Sequence, residues 1–294
     1  MKRPKYRKVY CEISNSCNLK CNFCPSAADS EEDKRFMDEE LFEKLIPQLQ
    51  KLTYILCLHV MGEPMYHPRL GKLLDICARH KMKVSIVTNG TLIAEQHQQL
   101  LMHPAVVQIN FSLQSFETNF PDADNNKYLK NIFNFITRSF TERPDLHINL
   151  RLWNSENFAR SMVINKPVID LIQQHFSITD EVIENLSPRG NRLVGDLYIN
   201  FSDRFEWPTL DLPFQSDRGT CAALKNQFGI LADGTVIPCC LDKGGIIDLG
   251  NCNDNTLEEI LSAERAMNML NGFKQQRLVE PLCQNCTFND RFKK

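Results

Sequence analysis

The chain has 294 residues, 43% of them apolar, and a formal net charge of -2. That balance suits a folded protein with one large domain and a smaller one, and it offers no global attraction to nucleic acid. No apolar run approaches the ~20 residues of a membrane span, and the N-terminus lacks the apolar core of a secretion signal, so a cytoplasmic protein with reduced thiols is expected.

The elements begin after a basic run, Lys2, Arg3, Lys5, Arg7 and Lys8, which reads as a solvated tail. Residues 9–13 alternate as a strand, and a loop carrying Cys17, Cys21 and Cys24 follows. Beyond the charged stretch 29–34, Asp38 is the expected N-cap of a helix running to about Lys51, with Leu41, Leu45, Ile46 and Leu49 at helical spacing. The apolar run 54–60 predicts a buried parallel strand ending in Met61-Gly62-Glu63-Pro64. A helix over 69–80 leads to a strand over 83–87 that ends in Thr88-Asn89-Gly90. A helix over 94–102 leads to a strand over 106–113, ending in Ser112-Leu113-Gln114. Further helices are expected over 125–140 and 167–175, and strands over 146–152 and 197–201. This alternation predicts an α/β fold with a parallel sheet and crossover helices. The unusual residues fall at strand carboxyl ends, where such folds gather ligands.

The pattern changes after residue 202. Phe205-Glu206-Trp207-Pro208 and Leu212-Pro213 read as a linker; Asp203 and Glu206 there are either substrate contacts or solvated acids. Residues 228–232 and 236–238 flank Asp233-Gly234, a hairpin signature. One helix is expected over 256–269, and the chain closes with Cys283-Gln284-Asn285-Cys286.

Cysteine is abundant, with 12 in the chain. Cys11, Cys57 and Cys77 lie in apolar segments and read as small buried hydrophobes, as does Cys252. Cys17, Cys21 and Cys24 have C-x3-C-x2-C spacing with no cysteine after them until Cys57. They would share one face of a helix, but Asn15, Asn18, Asn22 and Pro25 favour a loop. Three grouped thiols suit a metal centre with an open coordination position: structural zinc takes four closed ligands, whereas a cubane on three cysteines leaves one iron free. Cys221, Cys239, Cys283 and Cys286 form a second candidate set, for which spacing alone leaves zinc and iron–sulfur both open.

With these motifs the sequence resembles the radical S-adenosylmethionine (SAM) superfamily, over residues 9 to about 200. The cysteine loop matches its hallmark. Phe23 matches the aromatic position near the SAM adenine, Gly62-Glu63-Pro64 its G-G-E-P with Met61 in place of the first glycine, and Thr88-Asn89-Gly90 its T-N-G. Ser112-Leu113 matches S-L-D, with Gln114 at the Asp position. The resemblance implies a partial (β/α)6 TIM-like barrel and a [4Fe–4S] cluster on Cys17, Cys21 and Cys24 whose fourth iron is chelated by SAM. It implies cofactor contacts from Phe23, Gly62, Glu63, Pro64, Asn89 and Ser112. Arg151 is either a partner of the SAM carboxylate or an ordinary charged residue on its strand. A SAM-derived 5′-deoxyadenosyl radical would take a hydrogen atom from the substrate.

Cys221, the Gly234–Cys239 hairpin, Leu249-Gly250-Asn251 and the closing C-x2-C resemble the SPASM/twitch extension of these enzymes, with one auxiliary [4Fe–4S] cluster. The implied organisation is a radical SAM core over 1–202, a linker over 203–220 and a small α+β auxiliary domain over 221–294. Relatives with such extensions modify peptides or oxidise small alcohols and aminosugars, and draw electrons from a reductant such as flavodoxin or ferredoxin. Cys240 is then a hydrogen-atom donor in a peptide epimerase or maturase, a buried thiol, or a stand-in for Cys239, with Asp242 two residues on. The alternative from another class is a non-catalytic zinc scaffold or RNA-binding module, against which the lack of a dense basic patch counts.

Overall fold

The computed structural model describes residues 4–25, 34–93, 95–120, 125–203 and 206–292. Lys2, Arg3, residues 29–33 of the charged stretch and Phe205 lie outside the described residues. In chain order the elements are β1 (Val9–Cys11), α1 (Glu39–Gln50), β2 (Ile55–Cys57), α2 (Leu70–Arg79), β3 (Lys83–Thr88), α3 (Glu95–Leu101), β4 (Val106–Ser112), α4 (Gln114–Asn119), α5 (Asn125–Glu142) and β5 (His147–Ser155). They continue with α6 (Phe158–Ile164), α7 (Lys166–Phe176), α8 (Asp180–Glu184), β6 (Asn191–Val194), β7 (Leu197–Asp203), β8 (Gly229–Ile230), β9 (Val236–Ile237), α9 (Leu257–Ser262), α10 (Glu264–Lys274) and α11 (Pro281–Gln284). The α/β class and the parallel strands expected from the sequence are present. Among the described residues no helix is long and apolar enough to cross a membrane. The chain forms two compact units: Met1–Asn18, Ala28–Val84 and Phe205–Lys294 in the first, Leu19–Ala27 and Ser85–Arg204 in the second.

In the first unit β1 pairs in parallel with β2, Tyr10 opposite Cys57, and with β8, Cys11 opposite Ile230. β8 and β9 form the antiparallel hairpin announced by Asp233-Gly234. Asp38 caps α1, its carboxylate accepting from the Glu40 N–H at 2.7 Å, and Leu41, Phe42, Leu45, Ile46 and Leu49 are buried. Cys11, Cys57, Cys77 and Cys252 are all buried, as their apolar contexts predict. The Cys11 thiol lies 3.6 Å from the Met37 sulfur, so part of this core is packed with sulfur.

The helix expected over 256–269 is two helices. Thr256 opens α9 with a reciprocal capping box to Glu259. Ala263 then adopts ψ 159°, which no helix can continue, and serves as the N-cap of α10. That break lets Leu257, Ile260 and Leu261 of α9 and Ala266, Met269 and Phe273 of α10 all be buried.

In the second unit β3, β4, β5, β7 and β6 lie side by side in that order. β4 and β5 are parallel, with Asn110 opposite Asn149 and Ser112 opposite Arg151. β5 and β7 are parallel, with Arg151 opposite Asn200. β6 returns antiparallel to β7. One face is apolar and fully buried: Ile109 and Phe111, Ile148, Leu150 and Leu152, Leu197, Ile199 and Phe201. The other carries amides and hydroxyls, because side chains alternate along a strand. α4, α6, α8 and β6 did not stand out in the sequence, being too short to show a period.

Candidate metal and cofactor centre

The loop that ends β1 is held by the M-G-E-P turn. The Glu63 N–H donates to the Ser16 carbonyl at 2.9 Å, one residue before Cys17. Gly62 has φ +68°, and a Cβ there would lie 2.2 Å from the Ser14 carbonyl oxygen and 2.8 Å from that of Ser16. Only glycine lets these two backbones approach. The Glu63 carboxylate is buried and accepts from the Met65 N–H at 3.0 Å, capping the short 3-10 turn Pro64–Tyr66. Glu12, which sequence reasoning passed over, is 3% exposed. One of its oxygens accepts from the Met61 N–H at 2.9 Å and the other from the Ala232 N–H at 3.4 Å. It therefore braces the turn against the segment after β8. Nothing in a lone Glu on a strand could have signalled this.

In the second unit the Cys24 N–H donates to the Cys21 carbonyl at 3.0 Å, the turn that Asn22 and Phe23 make. Cys21 is buried; the Asn119 Nδ2 donates to its sulfur at 3.0 Å, while Asn119 Oδ1 accepts from the Lys20 N–H at 2.8 Å. Burial raises the Cys21 pKa, and the Asn119 hydrogen bond opposes it by favouring thiolate. Asn119 orients a candidate ligand as outer-shell partners of metal sites do. Phe23 and Cys24 are half-buried in that turn, and in the first unit Cys17 is half-buried too. Asn89 organises the end of β3: its Oδ1 accepts from the Thr91 N–H at 2.9 Å, and its carbonyl accepts from the Tyr128 hydroxyl at 2.7 Å. Ser112 and Arg151 sit opposite one another, and the Arg151 guanidinium lies 4.6 Å from the Trp153 ring centroid.

The four later cysteines come together in the first unit. Burial raises the pKa of each, and their thiolates raise one another's: Cys239 feels Cys240, Cys221 and Cys283, Cys283 feels Cys221 and Cys286, and Cys286 feels Cys221. Residues far apart in sequence thus share one low-dielectric site. The Gln284 carbonyl accepts from the N–H groups of Gln215 and Ser216 at 2.9 and 3.1 Å, and Gln284 Nε2 donates to the Leu278 carbonyl at 2.7 Å. Arg265 pairs with both carboxylate oxygens of Glu280 at 2.8 Å, tying α10 to the start of α11. Asp242 is 1% exposed; its two oxygens accept from the Ile246 and Ile247 N–H groups, each at 2.9 Å, so it organises its loop. Cys240 is half-buried and accepts a hydrogen bond from the Tyr10 hydroxyl, over whose ring the Lys8 ammonium lies at 4.9 Å.

The later set, four thiols sharing one buried site, has a donor set that suits an iron–sulfur cluster. Among the described residues no three His, Cys, Asp or Glu side chains close on one point as a lone metal ion requires. A cubane asks something different, because each thiolate meets its own iron, and soft all-sulfur donors suit it.

The sequence matches the profile of the Radical SAM superfamily over residues 11–142 and that of an iron-sulfur cluster-binding domain, SPASM, over residues 221–287. It is 22% identical over 324 aligned positions to the tungsten-containing aldehyde ferredoxin oxidoreductase cofactor-modifying protein of Pyrococcus furiosus, covering 96% of this chain and 87% of that one. Its fold is similar to that of BtrN in complex with AdoMet and 2-DOIA, with TM-score 0.61 and 14% identity over 97% of this chain and 94% of the other. Streptococcus suis SuiB bound to precursor peptide SuiA is similar too, with TM-score 0.63 and 15% identity over 96% of this chain and 71% of that one.

Proposed function

Because the chain belongs to the radical SAM superfamily and carries the C-terminal iron-sulfur cluster-binding domain, we propose that Cys17, Cys21 and Cys24 hold its [4Fe–4S] cluster for hydrogen abstraction from a peptide or small-molecule substrate. When bound, the cluster and SAM supply one-electron cleavage of the sulfonium to a 5′-deoxyadenosyl radical, which takes a hydrogen atom from the substrate. The chain's own residues do the positioning. Gly62 admits the close backbone approach, Glu12 fixes the turn, and the carbonyls there with Glu63 are the acceptors for the SAM ammonium. Phe23 would lie against the adenine, Asn89 and Pro64 shape the pocket, Ser112 takes the ribose and Arg151 the carboxylate. Cys221, Cys239, Cys283 and Cys286 would hold one auxiliary [4Fe–4S] cluster in a domain beginning near residue 221, after a core ending near 202. An electron donor of flavodoxin or ferredoxin type would reduce the first cluster, and the reduced thiols suit a cytoplasmic protein.

The observation that carries this reading is the hydrogen bond from Glu63 to Ser16 across Gly62, which joins the M-G-E-P turn to the cysteine loop. Anaerobic purification, iron and sulfide analysis, and assay of 5′-deoxyadenosine with SAM and dithionite test it. About eight irons per chain are expected for two cubanes; a colourless zinc protein that leaves SAM intact would sink the reading. A second reading, favoured by the burial that raises the Cys240 pKa and so keeps its S–H, has the Cys240 S–H return a hydrogen atom to a substrate radical. The resulting thiyl would then take an electron from the donor and a proton from solvent. Under it, Cys240→Ala converts net epimerisation into unproductive SAM consumption.

A further inference from the structure

Resting on the reading that the chain takes electrons from a carrier, we propose where that carrier docks. The site is the basic rim at the amino ends of β1, β2, β3 and β8, and the carrier is a small acidic protein. The segments that enter these strands, residues 5–8, 51–54, 80–83 and 225–228, hold seven Lys or Arg and no Asp or Glu. β1 is parallel to both β2 and β8, so their entering segments share one edge. Hydrogen bonds join the segments. The Tyr6 N–H donates to the Leu52 carbonyl at 3.0 Å, the Arg7 N–H to the Asn226 carbonyl at 2.9 Å, and Gln50 Nε2 to the His80 carbonyl at 2.7 Å. Lys5, Arg7, Lys51, Lys81, Lys83 and Lys225 are exposed. From Lys5 onward the run that reads as a tail in the sequence is a fixed part of the unit: Tyr6 is 1% exposed, and its ring meets Phe228 edge-on at 4.8 Å.

The charges of this rim are unanswered. Elsewhere in the first unit Arg35 pairs with Asp233, Arg69 and Lys72 with Glu39, Arg79 with Glu43, and Arg265 with Glu280. Among the described residues none of the rim's Lys or Arg side chains is in an ion pair. In a chain of net charge -2, such a cluster sets up a local positive field, which speeds encounter with an acidic partner. The rim also reaches the later cysteines. Lys225 Nζ donates to the Thr220 hydroxyl at 2.9 Å, next to Cys221 in the chain. The Leu224 N–H donates to the Pro238 carbonyl at 3.3 Å, next to Cys239. The carboxyl ends of β1 and β2 lead instead to the Cys17 loop and the M-G-E-P turn. A protein seated on the rim therefore lies beside the proposed auxiliary centre, which makes an electron carrier its fitting occupant. Nucleic acid is the lesser match. Single strands stack successive bases on several rings, and of the Tyr and Phe side chains in these segments only Tyr54 is exposed, Tyr6 and Phe228 being buried.

The test uses the full chain, reconstituted without oxygen, and two acidic carriers as probes, a flavodoxin and a [2Fe–2S] ferredoxin. Anaerobic biolayer interferometry should show at least one of them binding the wild type. The double variant Arg7→Glu/Lys225→Glu should lower the association rate about tenfold at about 50 mM NaCl, and the difference should shrink to within about twofold at about 0.5 M NaCl, where charges are screened. Lys127→Glu/Lys130→Glu, the same charge change at exposed positions of α5, should bind within about twofold of wild type. With SAM, the rim variant should form 5′-deoxyadenosine within about twofold of wild type when dithionite is the reductant and about tenfold more slowly when the carrier is. Iron content and melting temperature check that each variant is folded and loaded. Binding by neither carrier, an unchanged association rate in the rim variant, an equal loss in the α5 variant, or tighter binding of a single-stranded oligouridylate that displaces the carrier overturns the proposal. Wild-type protein that still cleaves SAM with dithionite in those cases leaves the radical reading standing; wild-type protein without iron that leaves SAM intact and binds no carrier removes both.

Discussion

The two cysteine sets are built on opposite plans. Cys17, Cys21 and Cys24 are close in sequence, Cys17 next to the Ser16 carbonyl that the M-G-E-P turn reaches across Gly62 and Cys21 at the Asn119 amide. Cys221, Cys239, Cys283 and Cys286 come from four places: a segment bonded to the C-terminal loop, the end of a hairpin and both ends of a C-x2-C. The first set is close in sequence; the second meets only when the chain from Cys221 to Cys286 has folded together. The first loop is therefore suited to chemistry, where one open position must face a ligand. The second couples metal binding to folding, because ligands that converge only in the native state turn binding energy into stability.

Removing one ligand from each set breaks this comparison most directly. Cys24→Ala should lower 5′-deoxyadenosine formation about a thousandfold or more and remove about four irons per chain, with little change in melting temperature. Cys283→Ala should also remove about four irons, yet lower the melting temperature by roughly 5 °C or more and leave SAM cleavage partly intact. If calorimetry and product assay show the reverse assignment, the division of labour is wrong.

Gly62→Ala sharpens what the first loop needs. A Cβ 2.2 Å from the Ser14 carbonyl, at φ +68°, forces the turn and the loop apart. Backbone strain and overpacking together predict a loss of about 3 kcal/mol, measured by urea unfolding. Loss of the first cluster's iron should accompany it while the auxiliary iron stays. A smaller effect is expected from Asn119→Ala. Removing the N–H that reaches Cys21 at 3.0 Å should lower the reduction potential of the first cluster by tens of millivolts, read by redox titration of its EPR signal. An unchanged potential would make Asn119 a spacer for Lys20 only.

Much of the first site was legible because its parts are contiguous. Three close cysteines, a glycine at a strand end and T-N-G each state their geometry locally. Asn119 and Glu12 were not legible, since an Asn ending a short helix and a Glu on a strand acquire their roles only through residues far along the chain. The single helix read over 256–269 failed for a related reason: Ala263 has high helix propensity, yet the burial of both α9 and α10 outweighs it. The strand faces of the second unit were half legible. Leu150 and Leu152 announced the buried side, whereas the amides of Asn110, Asn149 and Asn200 meet only when three strands are in register.

The least effect belongs to acid, and it should fall on the first site's support. His67 ends the turn that begins at Glu63 and is 5% exposed. The Arg69 N–H donates to its Nδ1 at 3.1 Å, so Nδ1 carries a lone pair and Nε2–H donates to the Met37 carbonyl at 3.2 Å. Burial holds its pKa below the ordinary 6.5, the Met37 hydrogen bond opposing and the Arg69 charge assisting. Between that lowered pKa and 6.5 the unfolded chain binds the extra proton and the folded one does not. The stability is complete above 6.5 and is lost as pH falls through the window, by up to about 1.4 kcal/mol per pH unit. Anaerobic urea unfolding at pH 7.5 and 5.5 should show this slope in the wild type and a flatter one in His67→Asn. An equal slope in both would place the acid sensitivity outside the turn that holds Cys17's loop.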